Sequence, residues 1–147
     1  MQTIENPLMN QPIKIHIAVA VITQNACMLI QLRDDDPNIV APGCWGLFGG
    51  HIEVNETPNE AVLRELHEEI GWKPKEINFW FKYETDEYSI NVFKVNLNVD
   101  IKKLNLYEGQ DVKLATYSEL RKGKIWSHLL SEYRDCAPII RKVIDHI

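Results

Sequence analysis

The sequence predicts a single α+β domain. Two strand-like segments precede a strongly capped central helix, three more follow it, and an amphipathic segment closes the chain. A chain of 147 residues, 45% hydrophobic and 25% charged, has the length and composition to bury one core. That domain is expected over 13–147, after a flexible polar leader at 1–12 interrupted by Pro7 and Pro12.

Residues 13–22 alternate and then become nearly continuous in β-branched and small apolar side chains, the pattern of a mostly buried strand. Gln24, Asn25 and Ala26 read as a turn, and 27–32 as a second strand returning beside the first. Arg33 closes that strand. An acidic loop follows, with Asp34, Asp35 and Asp36 and the breakers Pro37, Pro42 and Gly43, and leads into the glycine-rich run Trp45-Gly46-Leu47-Phe48-Gly49-Gly50, read as a turn. Thr57-Pro58-Asn59-Glu60 combines an N-cap threonine, a proline in the first helical turn and the glutamate of a capping box, so a helix is expected from Pro58. It runs to about Ile70 with Gly71 as its stop, and Ala61, Val62, Leu66 and Ile70 form its apolar stripe. Strands are expected over 77–83, 88–97 and 113–117, the first two joined by a polar turn at 84–87. A helical turn at 118–121 and an amphipathic helix over 136–146, with Ile139, Ile140, Val143 and Ile144 on one side, complete the reading.

Sixteen basic against twenty-one acidic residues leave a formal charge of −5, which gives no general attraction for a nucleic acid polymer or an anionic membrane. Phosphate groups on a ligand must then be met by local positive charge or by a metal ion. Cys27, Cys44 and Cys136 show neither zinc-ligand nor redox spacing, so a reducing, cytoplasmic setting is expected. The first twelve residues lack the pattern of a signal peptide, and no apolar run approaches the ~20 residues that span a bilayer, so a soluble protein is expected.

Glu65, Glu68 and Glu69 stand at i, i+3 and i+4, which places three carboxylates on adjacent positions of one helix face. Like charges so placed cost roughly 0.2–0.5 kcal/mol per close pair, a cost that a divalent cation among them removes. All-oxygen ligands favour a hard ion, Mg²⁺ or Mn²⁺. Taken alone, the cluster also fits a solvated acidic face.

The wider spacing decides between these. Gly50, five residues, Glu56, seven residues, Arg64-Glu65-Leu66, one residue, Glu68-Glu69, one residue and Gly71-Trp72 resemble the Nudix box at every fixed position. Trp72 stands where that family usually carries an aliphatic residue, a departure that touches packing. The resemblance implies an α/β/α sandwich around a mixed β-sheet, and a Mg²⁺-dependent hydrolase, with Mn²⁺ as a substitute, cleaving a phosphoanhydride bond in a nucleoside diphosphate derivative or nucleoside triphosphate. It carries Glu65, Glu68 and Glu69 over as metal-binding carboxylates, with Glu65 also orienting or deprotonating water. Arg64 and Glu56 become an ion pair fixing loop to helix, and Gly49 and Gly50 a tight loop that offers a backbone carbonyl. No competing nucleophile motif is present: Ser89, Ser118, Ser127 and Ser131 lack a G-x-S-x-G setting. His51 and His67 are read as solvent-facing.

Outside the box the chain is most similar to MutT-type members, whose E-G-Q glutamate joins the metal site; Glu108-Gly109-Gln110 matches it. Arg33 has two readings, a phosphate contact as in MutT-like proteins or a pair with Asp34 or Asp35. Trp45, Leu47 and Phe48 either line the base pocket or belong to the core. MutT-type members place asparagine two residues before the proline that opens the last helix, whereas Cys136 stands there before Pro138. Hydrolysis of 8-oxo-dGTP thereby loses its most specific support, and ADP-ribose, other nucleotide sugars and other nucleoside triphosphates stay open. A small-molecule nucleotide is the expected partner of a monomer or homodimer. The alternative to an enzyme is a catalytically silent Nudix-fold module that binds nucleotide without turnover.

Overall fold

A computed structural model describes residues 13–147; the expected leader at 1–12 lies outside them. The first hairpin forms as its sequence dictates. Strand β1 (Ile15–Gln24) turns through Asn25 and Ala26, with φ of 51° and 61°, into β2 (Cys27–Leu32), pairing Gln24 with Cys27. Two consecutive positive φ values make a type I′ turn, whose twist matches that of the strands. Gln24 therefore belongs to the strand rather than the turn.

β1 and β2 pair only near that turn, from Ile22–Leu29 to Gln24–Cys27. Beyond it they splay, and the glycine-rich run expected as a turn enters the gap as two short strands, β3 (Trp45–Gly46) and β4 (Phe48–His51). β3 pairs with β2 through Gln31–Gly46 and Leu32–Trp45, and β4 with β1 through Ile17–His51 to Ala20–Phe48. The other edge of β1 runs parallel to β6 (Tyr88–Asn96), which forms the outer hairpin with β5 (Asn78–Glu84), while β7 (Asp111–Thr116) covers the far edge of β2. The result is a mixed seven-stranded sheet.

Alternation along β1 sends Ala18, Ala20 and Ile22 to one face and Val19 and Val21 to the other, and both faces are covered. Helix α1 (Pro58–Ile70) lays Ala61, Val62, Leu66 and Ile70 on the first face, together with Phe48, Phe93 and Trp72. Trp72 is an ordinary member of that core. Helices α2 (Tyr117–Lys122) and α3 (Pro138–Asp145) cover the second face through Leu120, Ile140 and Val143. This is the expected α/β/α sandwich. An additional hairpin, β8 (Lys124–Ser127) with β9 (Glu132–Asp135), and a 3-10 turn at Ile101–Lys103 have no counterpart in the sequence reading. Among the described residues no helix is long and apolar enough to cross a membrane.

Candidate metal and phosphate site

Helix α1 begins as expected: the Thr57 side chain accepts from the Glu60 N–H at 3.2 Å, and the Glu60 carboxylate accepts from the Thr57 N–H. Gly71 ends it in the left-handed conformation, φ 64°. Within those limits the three glutamates do not share one environment. Glu68 is exposed, Glu65 is half-buried, and Glu69 is 2% exposed, its carboxylate lying inside the protein. An acidic residue at this depth requires partners. The Gly49 N–H donates to Glu69 Oε1 at 3.0 Å, and Gln31 Nε2 donates to Oε2 at 2.6 Å. No cationic side chain pairs with Glu69 among the described residues. Burial, with Glu65 adding repulsion, pushes its carboxyl up to about 8 despite those two hydrogen bonds.

Arg64 forms the expected ion pair with Glu56, bonding it through Nε at 2.8 Å and Nη2 at 3.0 Å, while Nη2 also donates to the His51 carbonyl at 2.9 Å. The strand β4 and the loop after it are thereby tied to α1. The Arg64 guanidinium beside Glu56, helped by the Glu53 backbone, holds that carboxyl down at about 2. Nη1 reaches further, to Glu65 at 2.9 Å and Glu68 at 3.3 Å, so one arginine relieves part of the repulsion that the sequence assigned wholly to a metal. Gly50 is needed for this packing, because a Cβ there would stand 2.5 Å from Glu65 Oε1.

The C-terminal carbonyls of α1 are met by backbone donors from a distant segment: Tyr107 N–H bonds the Glu69 carbonyl at 2.8 Å and Asn105 N–H that of Ile70 at 3.2 Å. This pins the chain just before Glu108 against the helix end that carries Glu69. Gly109, φ 92°, then crosses β2 so closely that a Cβ would lie 2.9 Å from Gln31 Oε1, and Gln110 bonds Leu32 O through its N–H and Arg33 O through its side chain. The E-G-Q run thus clamps to β2 and presents Glu108 to the same cleft. Burial, followed by Glu65, Glu68 and Asp34, raises the Glu108 carboxyl, and Arg33 opposes them.

Gln31, Arg33, Asp34, Gly49, Glu69 and Glu108 line a cleft of about 140 Å³, together with Ile39 and Gly109; Glu65 and Glu68 are not among its lining residues. Arg33 donates Nε to Val40 O at 2.7 Å and has no salt bridge with Asp34 or Asp35; Asp35 instead pairs with Arg134 of β9 at 2.8 Å. Arg134 also donates to Gly43 O at 3.0 Å, holding the acidic loop from both ends. As side chains, no three His, Cys, Asp or Glu among the described residues stand close enough to hold a metal unaided.

The pocket reading of Trp45, Leu47 and Phe48 is corrected. Trp45 and Phe48 have no exposed surface and Leu47 only 4%; Trp45 and Leu47 pack on the α3 side, Phe48 packs on the α1 side, and the Trp45 indole donates to Ile125 O. Their strand positions turn them into the two cores and away from the cleft. Cys136 sits half-buried at the bridge to Trp45, with burial pushing its thiol up to about 11, and does not line the cleft. His51 and His67 are exposed, as expected. Gln31 and Arg134 were not anticipated. A second cavity of about 340 Å³ lies on the α3 side among Trp80, Lys94, Tyr117 and His146, and no aspartate or glutamate lines it.

The layering, the element order and a glycine strand facing a glutamate-bearing helix define a Nudix-type fold. The NUDIX domain profile matches residues 14–133, and the chain belongs to that family. It is 32% identical over 111 residues to an ADP-ribose pyrophosphatase of Methanocaldococcus jannaschii, covering 72% of this chain and 64% of that protein. It is 38% identical over 72 residues to the 8-oxo-dGTP diphosphatase of Escherichia coli, covering 48% and 54%. The matches therefore span less than two thirds of either relative. Among solved structures, a MutT NUDIX hydrolase from Burkholderia pseudomallei superposes with TM-score 0.71 at 16% identity, covering 92% of this chain and 99% of that one. The NUDIX domain of Shewanella oneidensis NrtR, complexed with ADP ribose, superposes with TM-score 0.68 at 17% identity, covering 97% and 90%.

Proposed function

We propose that the domain over 13–147 is a Mg²⁺-dependent hydrolase of a phosphoanhydride bond in a small nucleotide. The observation that carries this reading is Glu69: a buried carboxyl group with no cationic partner among the described residues, sharing its cleft with Glu108, while Glu65 and Glu68 follow on the same helix and add negative charge at Glu108. Such a set fits a hard divalent cation, which lowers the unfavourable charge density and binds oxygen donors only. Glu69 and Glu108 would hold it with a backbone carbonyl of Gly49 or Gly50, and Glu65 and Glu68, now engaged by Arg64, would join by side-chain movement on binding. When bound, the ion supplies charge neutralisation at the diphosphate and activation of water.

The remaining work falls to the chain. Arg33, whose Nε is spent on Val40 O, keeps its terminal nitrogens for a phosphate at the cleft rim. Glu65 orients the attacking water and takes its proton, while Arg64 fixes Glu65 and carries the helix–loop ion pair. Two phosphate-bearing products result, one from each side of the broken P–O bond: water supplies the new oxygen on the attacked phosphorus, its proton passes by way of Glu65 to solvent or to the departing phosphate, and no covalent enzyme intermediate forms. The names of the two curated relatives support a nucleoside diphosphate derivative such as ADP-ribose, or a nucleoside triphosphate, as the substrate class. Trp45 and Phe48, both fully buried, are not the residues that would contact the base.

The test is product release from ADP-ribose, GDP-sugars, 8-oxo-dGTP and unmodified nucleoside triphosphates, each with Mg²⁺ and with chelator. Mg²⁺-dependent turnover of one substrate above the others supports the enzyme. Binding of ADP-ribose without turnover of any substrate supports the silent module instead.

A further inference from the structure

We infer that Gln31 is a positioning residue of the cleft, which fixes the Glu69 carboxylate in the geometry a divalent cation requires; this rests on the function proposed above. Gln31 is the second-last residue of β2, placed where β1 and β2 have splayed and the glycine strand has entered. It is 3% exposed, so its amide must find partners inside the protein. Both are present: Nε2 donates to Leu47 O at 3.2 Å and to Glu69 Oε2 at 2.6 Å. The two hydrogens of one nitrogen are thereby committed, which fixes the orientation of the amide. Its Oε1 then faces the Glu108–Gly109 crossing, close enough that any side chain at position 109 would meet it.

The amide thus spans three elements of the site: the β3–β4 chain through Leu47, helix α1 through Glu69, and the E-G-Q segment through Gly109. Glu69 is held from opposite sides, by Gly49 N–H at Oε1 and by Gln31 at Oε2. Losing the Gln31 donor leaves a buried carboxylate with one anchor and free to rotate about its last bond. A carboxylate accepts at about four lone-pair sites, so both anchors can persist while an ion is bound. An apolar residue of similar length would fill the same core volume, and the sequence offers no packing reason for an amide there.

The test measures Mn²⁺ affinity by electron paramagnetic resonance and melting temperature in chelator, on the intact chain. Gln31→Met keeps the volume and removes the donor; Gln31→Asn keeps an amide that is too short to reach Glu69. Either variant, once folded, is expected to bind Mn²⁺ at least about tenfold more weakly, the usual scale for losing a partner that orients a ligand. Combined with Glu69→Gln, Gln31→Met is expected to add little further loss, because both act through one carboxylate. Wild-type Mn²⁺ affinity in a folded Gln31→Met or Gln31→Asn protein, or losses that multiply in the double variant, overturns the inference alone. Absence of Mn²⁺ binding by the wild type overturns the metal reading and this inference with it.

Discussion

Replacing Glu69 with glutamine removes a charge that the metal-free fold resists carrying, and the size of the effect follows from its burial. With a folded pKa near 8 against an ordinary 4.5, the native state holds a proton between those values that the unfolded chain has released. The native state binds more protons than the unfolded one, so stability is greatest below about pH 4.5 and is lost as pH rises towards 8. At pH 7 the loss is roughly 3 kcal/mol. Glutamine carries no such penalty but accepts through one oxygen, so one of the two hydrogen bonds to Gly49 N–H and Gln31 is forfeited, at about 1 kcal/mol. The net gain of roughly 2 kcal/mol corresponds to a melting temperature about 4–8 °C higher for Glu69→Gln than for wild type at pH 7 in chelator. Below about pH 5 the difference closes and can reverse, because the unfolded chain then keeps its proton too and the linkage penalty on the wild type disappears. Added Mg²⁺ is expected to raise the wild type and not the variant, and turnover is expected to be lost in the variant. Thermal melts from pH 4 to 9, with chelator and with Mg²⁺, decide the matter. Parallel pH curves for the two proteins, or an equal Mg²⁺ shift in both, would refute the assignment of Glu69 as the buried, metal-seeking carboxylate.

Gly50→Ala places a Cβ against the Glu65 carboxylate at 2.5 Å, and Arg64 restrains that carboxylate from moving away. Activity is expected to fall on the order of tenfold to a hundredfold and the melting temperature to drop, measured by steady-state kinetics and calorimetry, and wild-type values for both would refute the close packing of Gly50 on Glu65. Arg134→Ala frees Asp35 and Gly43 O together, so amide exchange over 34–43 is expected to accelerate and KM to rise, while exchange in α1 stays unchanged. Unaltered exchange over 34–43 would show that the loop is held by its own turns.

The sequence made the outline readable where local chemistry and tertiary packing agree. Thr57, Pro58 and Glu60 start α1 and Gly71 stops it, because capping is decided within a few residues. The glycine-rich run is different. It forms two strands, broken only at Leu47, because β1 and β2 diverge and leave unpaired edges for it, a condition set by distant partners such as Ala18, which pairs with Gly50. The same burial explains Trp45, Leu47 and Phe48, which face the two cores although they flank the site in sequence. Helix periodicity grouped Glu69 with Glu65 and Glu68 as one polar face. Only the crossing of residues 105–110 over the end of α1 shows that Glu69 is enclosed. Gln31 and Arg134 carried no motif, and their partners lie 38 and 99 positions away.

Burial, more than the count of glutamates, separates a working cation site from an acidic surface. Glu68 is exposed and shares Arg64, so its charge is already screened by water and by a guanidinium. Glu69 has neither. Its two hydrogen bonds come from neutral donors, which orient the carboxylate without cancelling its charge. A site built this way resists filling by the chain's own lysines and arginines, since none reaches it among the described residues, yet it favours any small cation able to enter the cleft. Arg33 sits at the mouth with its backbone tied to Gln110 and its Nε to Val40. The cleft lining thus includes one guanidinium, suited to a phosphate, beside the carboxyl groups of Glu69 and Glu108, suited to a cation. This combination of charges in one cleft is what an anionic ligand bridged to the protein by a cation requires.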